Sequence, residues 1–210
     1  QKFLFYCKPY LFIMVDFLQK IDYAQKQKYI GRSFFMTKTK TYTTTALMTA
    51  LICIMAPVSI PIPISPVALT LCTFALYLCC YVLPPRQALA SVGLYLLLGA
   101  IGLPVFSGYA GGISRFASPG GGYLIGYLFL VAISSFFINH FPKRPLYQIG
   151  GMFAGTLVTY TIGTAYMAYL TNATFLQTLP MGALVFLPLD IIKIICAYIL
   201  GNQIQSHITL

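Results

Sequence analysis

Between Lys40 and Arg86 the chain carries no charged side chain at all, and similar uncharged stretches run from Gln87 to Ser114 and from Pro145 to Leu189. Apolar runs of this length and continuity suit helices that cross a bilayer; an outer-membrane barrel shows short alternating segments instead. Of the 210 residues, 59% are hydrophobic and 8% charged, against roughly 25% charged in ordinary soluble domains. So little charge cannot cover a globule in water. The expected fold class is therefore all-α, a polytopic membrane protein with six transmembrane helices in a compact bundle. The runs predict these helices at about 43–59, 66–83, 86–101, 121–139, 146–170 and 187–205. Pro84-Pro85 closes the second, Gly102-Leu103-Pro104 the third and the His140–Pro142 region the fourth, while Pro188 suits the first turn of the sixth.

The net charge of +10 is unevenly placed, with Lys2, Lys8, Lys20, Lys26, Lys28, Arg32, Lys38 and Lys40 all near the start. This divides the chain into a basic cytoplasmic arm over residues 1–42, interfacial in part, and a membrane domain over 43–210. Basic residues favour the cytoplasmic side. Arg86, Lys143 and Arg144 mark the turns that return there, and the loops at 60–65, 102–120 and 171–186 fall on the opposite side with Arg115 as their one basic residue. Both termini are then cytoplasmic. A nucleic-acid-binding role for the arm does not fit so apolar a body, and no nucleic acid is expected as a partner.

The outward loops are unusual. IPIPISP (60–66) has three prolines and favours extended backbone, and GLPVFSGYAGGISRFASPGGG (102–122) has seven glycines interleaved with Phe106, Tyr109 and Phe116. Irregular backbone near membrane depth is tolerated where it lines a cavity. The loop reads as a lid or cavity wall, with a flexible solvent loop as the alternative.

Asp190 is the only acid after Asp22, and Lys193 stands three residues on, so the two share a helix face. Each would cost about 3 kcal/mol at a lipid-exposed helix centre, so both should face the bundle interior. They read either as a structural ion pair or as a polar pocket for a small ligand with both N–H donors and an acceptor. Small residues recur every four positions at Ala46 and Ala50, and at Gly151, Gly155, Thr159 and Gly163. Such stripes let helices approach closely. Internal packing suits the later stripe, and a partner protein is open for the earlier one. No phosphate-binding loop, nucleophile elbow or paired carboxylates occur, and the cysteines and the two histidines show no ligand spacing. No catalysis, cofactor or metal is expected.

Four segments carry a resemblance. SPVALTLCTF (65–74) is similar to the GPVPFTLQTF-like segment of the BioY family, the biotin-binding S components of energy-coupling-factor (ECF) transporters. GLYLLLGAIGLPVFSG (93–108) and SPGGGYLIGY (118–127) look like that family's next signature, and FLPLDIIK (186–193) resembles its FLPGDLLK pattern. Ala68, Cys72, Gly120 and Leu189 depart from the pattern. The resemblance implies six helices, an outward-facing biotin site in the bacterial cytoplasmic membrane, and coupling to a transmembrane T component and two ATPase subunits. It implies Asp190 and Lys193 as ligand-binding residues, with Thr70, Phe106, Ser107, Gly111 and Tyr123 around the ligand and Ala46 and Ala50 facing the T component. Arg115 is added from its position at the mouth, where it suits the ligand's carboxylate. Biotin uptake, through an ECF module or alone, is the function expected. A different vitamin such as thiamine or riboflavin, and less readily an intramembrane enzyme or a channel, are the alternatives.

Overall fold

The computed structural model describes residues 38–63, 65–142 and 144–208, so nearly all of the basic arm, and Lys143, lie outside the described residues. Among the described residues there are six helices of 11 residues or more: α1 (Lys38–Met55), α2 (Cys72–Val82), α3 (Pro85–Ile101), α4 (Gly121–His140), α5 (Pro145–Thr171) and α6 (Leu187–Ile208). The fold is all-α with one minimal sheet, in which β1 (Ser59–Ile60) pairs antiparallel with β2 (Leu69–Thr70).

α1 begins at Lys38 and not 43, within the stretch expected as the arm. The two boundaries beside the proline-rich segment also differ, for one reason. The first helix stops at Met55 and not 59, and the second begins at Cys72 and not 66. Pro57 disfavours helix at the residue before it, and Pro61, Pro63 and Pro66 lack the N–H that a helical ladder needs. The backbone between the helices goes extended instead and closes as the small hairpin, Ser59 opposite Thr70 and Ile60 opposite Leu69. The remaining ends follow their local chemistry. Leu83, before the proline pair, is extended at φ −108° and ψ 145°, and Pro85 opens α3. Gly102 ends α3 at φ 118°, a conformation glycine adopts without steric cost.

The span from 171 to 186, expected as a loop, is largely helical. Thr174 and Gln177 form a reciprocal capping box that starts a five-residue helix, Phe175–Leu179, and a π-helical turn, Pro180–Leu184, leads into α6. Among the described residues, two helices are long and apolar enough to cross a membrane by themselves: Gly121–His140 and Leu187–Ile204. At 11 residues α2 is about 16 Å long, half the ~30 Å hydrocarbon thickness.

The core is the meeting of α2 with α3, α4 and α6, and of α5 with α4 and α6. Leu76, Tyr77, Tyr95, Leu130 and Ile194 are buried there. α1 adds Met48 and Ile52, and is joined to α3 by Thr49 Oγ1 donating to the Ser91 carbonyl at 3.4 Å and by Ser91 Oγ donating to the Thr45 carbonyl at 3.0 Å. The glycine stripe of α5 faces α4. A Cβ at Gly155 would meet the Leu130 carbonyl at 2.9 Å, one at Gly122 would meet Gly163 Cα at 3.1 Å, and Thr159 Oγ1 donates to the Gly126 carbonyl at 3.0 Å. These side-chain-free stretches let two backbones approach as closely as membrane helices do.

Candidate functional site

Asp190 lies in the first turn of α6, where the helix dipole favours an anion, and Lys193 follows on the same face. Asp190 is only 4% exposed. Lys193 Nζ donates to Asp190 Oδ1 at 2.7 Å, to the Thr70 carbonyl at 2.7 Å and to Thr73 Oγ1 at 3.2 Å. Thr73 Oγ1 donates to Asp190 Oδ1 at 3.3 Å, and the Tyr160 hydroxyl donates to Asp190 Oδ2. The pair therefore draws α2, α5, α6 and β2 together. Desolvating two charges costs several kcal/mol each, and the attraction repays this only where further hydrogen bonds satisfy both ions. Here both ions have such partners.

Two hollows adjoin this network. A chamber of about 410 Å³ lies under the 102–120 loop and the proline-rich segment, walled by Tyr95, Phe106, Ser107, Arg115, Tyr123 and Tyr127 among others. Its volume falls within the roughly 300–1,000 Å³ of small-molecule sites. A smaller hollow of about 40 Å³ holds Asp190, Lys193, Thr73, Thr156, Thr159 and Tyr160. Val67, Ala68, Thr70, Tyr123 and Tyr127 line both, so these residues stand between the chamber and the charged pair. The arrangement can take an apolar body in the wide part and a compact head bearing both donors and an acceptor at the charged end.

The glycine-rich loop forms much of the wall. Phe106 is 2% exposed and set edge-on to Tyr95 and Phe116, with ring centroids 5.5 and 5.7 Å apart. It sits over Gly99 of α3, where any side chain would collide with the ring. Tyr109 does not join this packing: it is 70% exposed and takes φ 57° in the turn that brings Phe106 opposite Ala110. Tyr123 is buried at the start of α4, and its hydroxyl donates to the Gly182 carbonyl at 2.7 Å, tying the wall to the π-helical turn.

Of the residues expected around a ligand, Asp190, Lys193, Thr70, Phe106, Ser107, Tyr123 and Arg115 line the two hollows. Gly111 does not. It packs on the backbone of Gly102 and Leu103, where a Cβ would not fit, so its place there is steric. Thr73, Tyr127 and Tyr160 were not anticipated. Their signal in the sequence is slight: Thr73 and Tyr127 sit in the segments that carry the resemblance, whereas Tyr160 stands in an ordinary helical run. Ala46 and Ala50 lie away from the site on the exposed face of α1.

Comparison with known proteins adds three findings. The family model described as the BioY family matches residues 25–209. The chain is 35% identical over 148 residues to the biotin transporter BioY2 of Lactococcus lactis subsp. cremoris, covering 70% of this chain and 80% of that protein. It is 34% identical to a probable biotin transporter BioY of Pyrococcus horikoshii, covering 70% and 86%. Among solved structures it is similar to the S component for biotin of an ECF-type ABC transporter, with a TM-score of 0.76, 30% identity, and coverage of 81% of this chain and 95% of that one.

Proposed function

The chain belongs to the BioY family, and we propose on that footing that it captures biotin at the chamber beneath the 102–120 loop and carries it into the cell. Biotin offers a compact ureido ring with two N–H donors and a carbonyl, an apolar thioether ring and a carboxylate tail. The observation that carries the reading is the buried Asp190–Lys193 pair in a small hollow that shares Thr70, Tyr123 and Tyr127 with the wall of a chamber of about 410 Å³. Asp190 accepts ureido N–H, and Lys193 donates to the ureido carbonyl as it now donates to the Thr70 carbonyl. Phe106, Tyr95 and Tyr123 pack the rings, and Arg115, exposed at the rim, meets the carboxylate.

The protein is placed in the bacterial cytoplasmic membrane with both termini inside. The basic residues before α1 support that orientation. Delivery runs through a T component and two ATPases. The exposed Ala46 and Ala50 support contact with the former, because small side chains on an outward helix face let another helix approach.

Titration of the detergent-purified chain tests the ligand. Biotin should bind with one site per chain, and thiamine and riboflavin should fail to displace it. Saturation by either of those vitamins, with biotin inert, overturns the reading.

A further inference from the structure

The geometry points to Tyr160 as a ligand-contacting residue: we propose that its phenolic oxygen accepts one ureido N–H of biotin while Asp190 accepts the other. This rests on the biotin reading of the site and divides a recognition task that a carboxylate would otherwise perform alone.

The argument comes from the occupancy of lone pairs. A carboxylate offers about two acceptor positions on each oxygen. Asp190 Oδ1 already receives Lys193 Nζ at 2.7 Å and Thr73 Oγ1 at 3.3 Å. Oδ2 receives the Tyr160 hydroxyl, so one position remains on Asp190 for an incoming donor. A ureido head brings two donors. Tyr160 has committed its single proton to Asp190, which leaves its oxygen an acceptor only, and among the described residues none donates to it. That oxygen belongs to a side chain lining the same small hollow as Asp190 and Lys193. The threonines beside it are already engaged: Thr156 Oγ1 donates to the Met152 carbonyl at 2.8 Å and Thr159 Oγ1 to the Gly126 carbonyl at 3.0 Å. The hydroxyl-to-carboxylate bond thus sets side by side an anionic acceptor and a neutral one.

The test uses biotin and two cyclic carbamate analogues, each with one ureido N–H replaced by ring oxygen, titrated into the full chain and into Tyr160→Phe. The variant should weaken biotin about tenfold. It should weaken one carbamate far less, because that analogue lacks the N–H that Tyr160 receives. Equal weakening of all three ligands means that Tyr160 acts only by holding Asp190, and overturns the proposal. The unaltered protein gives a second reading that does not depend on the variant folding. Its two carbamates should differ in affinity by about tenfold, since one forfeits a bond to a charged acceptor and the other a bond to a neutral one. Equal losses there also overturn the proposal. Failure of the unaltered protein to bind biotin at all removes the underlying assignment, and is seen before any variant is made.

Discussion

At the scale of single residues, the site depends on two charges that each justify the other. Removing one partner of a buried pair leaves an uncompensated ion, which costs about 3–5 kcal/mol, whereas replacing both with uncharged groups is often close to neutral. Lys193→Met should therefore lower the unfolding temperature markedly, and Asp190→Asn combined with Lys193→Met should recover much of it. Biotin binding should stay absent in both. Thermal unfolding in detergent beside calorimetric titration checks this; recovery of binding in the double variant contradicts the assigned roles. Asp190→Asn alone exchanges an anion for an amide and should raise the biotin Kd tenfold or more, as hydrogen bonds to charged groups contribute about 1.5–3 kcal/mol. Asp190 and Lys193 were legible in the sequence because a charge within an apolar run is costly and conspicuous. Tyr160, Thr73 and Tyr127 were not. With 16 tyrosines in the chain, nothing local distinguishes the one whose hydroxyl reaches a carboxylate thirty positions away.

At the scale of elements, the pairing of α4 with α5 rests on missing side chains. Gly150 and Gly151 are neighbours on α5, yet a Cβ at Gly150 meets nothing within 4 Å while one at Gly151 collides with the Phe137 side chain. Gly150→Ala should stabilise by about 0.5–1 kcal/mol through helix propensity. Gly151→Ala should destabilise by about 1–3 kcal/mol through overpacking. Unfolding of the two variants side by side measures the contrast, and similar shifts would show that the interface yields more readily than its geometry implies. Four of the long helices were legible to within two residues at their starts, because proline and glycine punctuate them: α3, α4, α5 and α6. The start of α2 was not. The run from Pro66 to Val82 is uncharged and mostly apolar, and hydropathy alone does not separate a helix from a strand when both are buried. The pairing of β2 with β1, a tertiary contact, decides it.

At the scale of the whole molecule, α1 presents two unlike faces. Thr45, Met48, Thr49 and Ile52 turn inward, and Ala46, Leu47, Ala50 and Ile54 turn outward. Ala46→Leu with Ala50→Leu should leave biotin binding by the purified chain unchanged. Uptake of labelled biotin by cells carrying a complete ECF module should fall severely. Undiminished uptake would move the docking surface elsewhere. The proline-rich stretch before α2 has its own consequence at this scale. Had residue 70 been helical, its carbonyl would have been spent on the amide four positions on; in the hairpin it is free to hold the lysine's ammonium. Part of the support of the proposed biotin site is thus main chain, with no side-chain identity to lose. Drift at positions 67 to 70 can reshape the fit around a cargo while the oxygen that steadies the cation persists, for as long as the prolines keep that strand from winding up.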